Sequence, residues 1–87
     1  MWVKIREIGK ALHPNEVVVE VKTATGADRL VVDRRSIQNQ SLYIGSPVGQ
    51  KGKHYLIELP RETMGGSWRV WVGDGQLLPD MESAGAA

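Results

Sequence analysis

The sequence contains no cysteine. Disulfide staples, thiolate zinc sites and cysteine nucleophiles are therefore excluded, and a small domain that does without staples is expected in the cytoplasm. Long apolar runs are missing too. Nothing approaches the ~20 apolar residues of a membrane-spanning helix. Lys4, Arg6 and Glu7 stand where a secretory signal needs an unbroken apolar core. No membrane association is expected.

Clustered reactive groups are equally scarce. His13 and His54 are far apart and have no company of carboxylates, so neither a metal nor a cofactor is expected. No nucleophile elbow surrounds Ser46, whose place before Pro47 suits a turn. The run Gly49-Gln50-Lys51-Gly52-Lys53 departs from phosphate-loop spacing, and His54 stands where that motif needs a hydroxyl. Glu20 and Glu58 read as members of solvated strand faces, not as a catalytic carboxylate pair. A non-enzymatic protein is the expectation.

What is present is a two-residue rhythm. Val17, Val19 and Val21 alternate with Val18, Glu20 and Lys22, and Leu30 and Val32 resume the phase after Gly26. Residues 16–33 therefore read as a β-hairpin with a loop of four or five residues. The Val17–Val21 strand suits a central position better than an edge. Trp2 to Ile8 forms a first strand with Val3 and Ile5 in phase, and Ser41 to Ile44 a short one. Tyr55, Ile57 and Leu59 mark a strand ended by Pro60, and Trp68, Val70 and Val72 mark the last, with Gly65-Gly66 turning between them. Asp33 is placed to cap a helical turn at 34–40 that Ile37 pins to the core. Gly45 to Lys53 reads as a loop, and no internal repeat is evident.

These elements predict a mostly β fold: one small domain over residues 1–72, with six short strands, at most one short helix, and a flexible tail over 73–87. A lone sheet of this size leaves one face bare. A strongly bent antiparallel sheet or small barrel of SH3-like or OB-like character is the expected closure.

Net charge is +1, from 11 basic and 10 acidic residues. Yet no acid occurs from Arg34 through Ile57, a stretch that carries Arg34, Arg35, Lys51, Lys53 and His54. If its two ends meet, they form a basic patch for phosphates or an acidic surface. Trp2 falls on the face of Lys4 and Arg6, and Trp71 on that of Arg69, whereas Trp68 is in phase with Val70 and Val72 and is expected in the core. An aromatic set among cations is a peptide anchor or a base-stacking platform. Arg34, Arg35, Lys51, Lys53, Trp2 and Trp71 are thus the candidate contact residues of an interaction module. Its expected partner is a protein, with nucleic acid as the alternative, and the chain itself is expected to be a monomer or homodimer.

Overall fold

A computed structural model describes residues 1–79. Ten strands follow in order: β1 (Trp2–Lys4), β2 (Arg6–Lys10), β3 (Glu16–Thr23), β4 (Gly26–Asp33), β5 (Ile37–Gln38), β6 (Ser41–Tyr43), β7 (Gly49–Lys51), β8 (His54–Glu58), β9 (Arg69–Gly73) and β10 (Leu77–Leu78). Two 3-10 turns, Arg34–Ser36 and Asp74–Gln76, precede β5 and β10. The fold is mostly β, as the alternation predicts. The strands number ten, not six, and form three antiparallel sheets, β10-β1-β6-β5, β2-β3-β4 and β7-β8-β9. These ladders do not close into a barrel.

The 16–33 hairpin is present and tighter than expected. Thr23 pairs with Gly26, which leaves only Ala24 and Thr25 in the turn. Val17, Val19, Val21, Leu30 and Val32 all bury on its inner face, and β3 is the central strand of its sheet. Asp33 does cap the first 3-10 turn, its carboxylate accepting the Arg35 amide at 2.8 Å. Two expectations change. The glycine-rich stretch contains an edge strand, β7. The domain also does not end at residue 72: β9 runs to Gly73, and Leu77 and Leu78 pair with Val3 and Trp2. The rest of the expected tail, 80–87, lies outside the described residues.

The element order repeats. Five strands with a 3-10 turn before the fifth make up residues 2–38, and the same series makes up 41–78. The registers superpose on this repeat. Val19 faces Leu30 as Ile57 faces Val70, and Glu20 faces Arg29 as Glu58 faces Arg69. Leu42 faces Ile37 as Val3 faces Leu77. The loop bonds match as well: Arg34 donates its amide to Asn15 O as Asp74 does to Lys53 O, each at 2.9 Å. Identical residues at corresponding positions, such as Glu20 with Glu58 and Arg29 with Arg69, are few and scattered among interchangeable aliphatic side chains, so the repeat leaves no continuous signature in the sequence.

The halves are interlaced. In the sheet β10-β1-β6-β5, every strand neighbours strands of the other half only. Ile5 N donates to Gln40 O and Ile44 N to Met1 O, both at 3.0 Å, as reciprocal bonds about a pseudo-two-fold axis. One core results, drawn from both halves: Val3, Val19, Val21, Leu30 and Val32 from the first, and Leu42, Ile57, Leu59, Val70 and Val72 from the second. Neither half alone covers the apolar face it contributes.

Candidate functional site

Strand alternation decides what the outer face of β7-β8-β9 displays. Burying Ile57, Val70 and Val72 turns Leu56, Arg69 and Trp71 outward. Trp71 lies opposite Leu56, which in turn lies opposite Gly49. A Cβ at Gly49 would come within 3.3 Å of Leu56 Cβ and 4.0 Å of Trp71 Cη2, so the missing side chain leaves room for the indole over the edge strand. Trp71 is 37% exposed. Its ring lies on the sheet with its body still open to water.

The tip of the β3–β4 hairpin forms the opposite wall. Ala24 N donates to Trp71 O at 2.8 Å, anchoring the tip of one half to a strand of the other. Between them runs a groove of about 520 Å³ lined by Trp71, Val70, Ala24, Thr23, Thr25 and Ser67, with Lys51, His54, Arg69 and Asp28 around it. That volume lies within the range of small-molecule sites. Arg69 is engaged by Glu58 through Nε and Nη2 at 3.2 and 3.1 Å, so Lys51 is the cation here most available to a ligand. The site combines an apolar floor with hydroxyl, imidazole and ammonium groups.

The repeat supplies an internal control. The corresponding groove of the first half, about 540 Å³, is lined by Lys10, Leu12, Glu16, Val18, Val31 and Arg61. Val31 takes the place of Trp71 and Val18 that of Leu56, as their registers require. Arg61 pairs with Glu16 at 2.7 Å across this second groove. Most core positions stay aliphatic in both halves, Val17 against Tyr55 being an exception, and this surface position changes from valine to tryptophan.

The six candidate residues do not gather in one place. Lys51 and Trp71 share the groove. Lys53 lies beside the second 3-10 turn, bonded through its carbonyl to Asp74 N. Arg34 and Arg35 form the first 3-10 turn, Arg34 N bonding Asn15 O. Arg34 and Lys53 therefore sit at equivalent 3-10 turns of different halves, Arg34 within the first turn and Lys53 beside the second. Arg35 is also neutralised. Its guanidinium donates to both oxygens of Asp33 at 3.2 and 3.1 Å, and that contact, reinforced by the Arg35 amide, holds the Asp33 carboxyl down at about 2.

Trp2 belongs to a different sheet from Trp71. It is half-buried and packs edge-to-face on Tyr43, ring centroids 5.3 Å apart, and its buried Nε1 finds no hydrogen-bond partner. Beyond Tyr43, the Trp2 side chain lines a separate cavity of about 260 Å³ with Gln38, Asn39, Ser41 and Leu78, away from the Trp71 groove. Trp68 corrects the alternation argument: it is 55% exposed, not in the core, because it lies just before β9, outside the regular pleat. Glu20 and Glu58 form ion pairs with Arg29 and Arg69 across their hairpins. His13 Nδ1 accepts the Asn15 amide at 3.2 Å, a turn role. Among the described residues no group of three or more metal-binding side chains assembles, and no helix is long and apolar enough to cross a membrane.

Sequence pattern alone does not reach Ser67, Thr23 or Thr25. The hairpin tip meets β9 only through the interlacing of halves. Comparison with known proteins gives no match: no family model fits the chain, and no curated protein or solved structure is significantly similar to it.

Proposed function

We propose that this chain is a non-enzymatic binding module that acts through a protein partner, seated in the groove between the β3–β4 hairpin tip and the outer face of β7-β8-β9. The single observation carrying this reading is Trp71. A large aromatic held against Leu56 and Gly49 and left open to water is the type of residue that dominates binding energy when a partner covers it. Gly49 to Lys51 adds an edge strand beside it, whose backbone is available for strand addition by an extended segment. Thr23, Thr25 and Ser67 supply hydrogen-bonding groups at the rim. The cysteine-free sequence supports a cytoplasmic setting.

A second reading, nucleic-acid binding, is favoured by one observation: Lys51 and His54 line the same groove as the exposed indole. The dispersal of Arg34, Arg35 and Lys53 leaves it a small electrostatic footprint, which is why the protein partner ranks first.

Affinity capture from the source cell with the wild-type chain, Trp71→Ala and Trp2→Phe tests the reading. A protein retained by wild type and Trp2→Phe, and lost from Trp71→Ala, is expected. Equal retention by all three removes Trp71 from the contact. Titration with a mixed oligonucleotide at rising salt separates the alternatives, since phosphate contacts weaken steeply with salt.

A further inference from the structure

We propose that two copies of this chain assemble by exchanging halves, with residues 2–38 of one copy packing against residues 41–78 of the other and Asn39-Gln40 acting as the hinge. The partner surface is the one each half already presents to its mate within a single chain.

Three observations meet here. First, the four-stranded sheet β10-β1-β6-β5 alternates strictly between halves, so all of its ladder bonds form between residues 2–38 and residues 41–78. The same holds for the Ala24–Trp71 bond, the Met64–Arg29 bond and the Arg61–Glu16 ion pair. A half supplied by another chain reproduces each of these contacts unchanged, because none depends on the covalent link. Exchange of an identical element between protomers is a low-cost route to a dimer for this reason.

Second, the link is minimal. Gln38 pairs with Ser41, which leaves a two-residue connection between β5 and β6. Opening it joins β5 and β6 into one extended segment, and two such segments side by side serve two interlaced units.

Third, the link is strained when closed. Asn39 and Gln40 both have positive φ, 51° and 59°, and are the only non-glycine residues among those described to do so. A two-residue hairpin turn needs this conformation at both positions and favours Asn-Gly. Asparagine tolerates it, whereas glutamine does not do so readily. Extending the hinge releases Gln40 to ordinary backbone geometry, and short hinges under strain favour exchange.

Two experiments on the full chain test this. In the first, wild type, Asn39→Pro and Gln40→Gly are refolded over a range of concentrations and weighed by light scattering after size exclusion. Proline cannot take the positive φ of the closed turn, so Asn39→Pro is expected at twice the 9.6 kDa chain mass with an unchanged β spectrum. Gln40→Gly relieves the strain and is expected to shift wild type toward the single mass. A folded Asn39→Pro that stays at single mass overturns the proposal.

The second experiment does not depend on Asn39→Pro folding well. Val19→Asp and Ile57→Asp each place a carboxylate at a fully buried position, one in each half, so each variant alone is expected to be unfolded. Mixed in equal amounts, they rebuild one wild-type unit from the intact second half of the former and the intact first half of the latter. The mixture is expected to regain about half the wild-type circular dichroism amplitude at doubled mass. A mixture as unfolded as its components shows that halves of separate chains do not combine, and the proposal fails.

Discussion

Val3 on β1 faces Leu42 on β6 across the pseudo-two-fold axis, and both side chains are fully buried. They are corresponding residues of the two halves, so the central pair of the core is the repeat meeting itself. Leu42→Ala is expected to cost about 2–5 kcal/mol, because it opens a cavity that close-packed neighbours fill only partly. Chemical denaturation of Val3→Ala, Leu42→Ala and the double variant should show coupling of ~0.5–3 kcal/mol, as residues in direct contact do. Strict additivity would mean that the halves do not pack at this point.

Tryptophan fluorescence reads the outer surface. Trp68 and Trp71 are 55% and 37% exposed, whereas Trp2 is packed on Tyr43. Iodide is expected to quench Trp68 most and Trp2 least, so Trp68→Phe should remove the largest quenchable fraction. Equal quenching of all three would displace Trp2 from its packed position.

Gly49 makes the room that Trp71 uses. Gly49→Val suits a strand locally, but its Cβ crowds Leu56 and its branches meet the indole. The variant is expected to fold, to raise iodide quenching of Trp71, and to lose the partner as Trp71→Ala does. Retained partner binding with a displaced Trp71 would shift the contact away from the indole.

Acid should weaken the first 3-10 turn within a defined window. The Arg35 guanidinium, then the Arg35 amide, lowers the Asp33 carboxyl from its ordinary 3.8 to about 2. The folded chain therefore binds that proton less readily than the unfolded chain. The contribution of Asp33 is whole above pH 3.8 and is lost as pH falls toward 2. Glu20, held low first by Arg29 and then by Arg6, adds a loss of the same sign below its ordinary 4.5. Asp33→Asn keeps a capping side chain without the charge. The gap in Tm between wild type and Asp33→Asn should narrow as pH drops through this range. A gap constant from pH 4.5 to 2 would show that the charge contributes nothing.

Lys53 offers a contrasting control. Its side chain is exposed in the β7–β8 turn, and Lys53→Ala should change stability by no more than ~0.5 kcal/mol in urea denaturation. A larger loss would mean the ammonium holds the turn together.

The period-two alternation of Val17, Val19 and Val21 with Glu20 and Lys22 determined by itself that this stretch is a strand with one dry face, since no other regular backbone sorts those side chains. In the same way Leu30 and Val32 set the inner face of the returning strand, Asp33 marks a cap, and the phase of Trp71 against Val70 and Val72 turns its side chain outward. All of these are local, set by the geometry of a pleated chain. Tertiary structure alone decided the rest. Leu77 and Leu78 became a strand because Val3 and Trp2 offered them an edge, and Thr23 to Thr25 became the wall of a groove because the tip of one half docks on β9 of the other. Arg34 and Lys53 parted company because the repeat puts them in separate halves. Such outcomes depend on which strands neighbour one another across long stretches of chain, and a pattern of valines and leucines that are interchangeable in hydrophobicity carries no record of that choice.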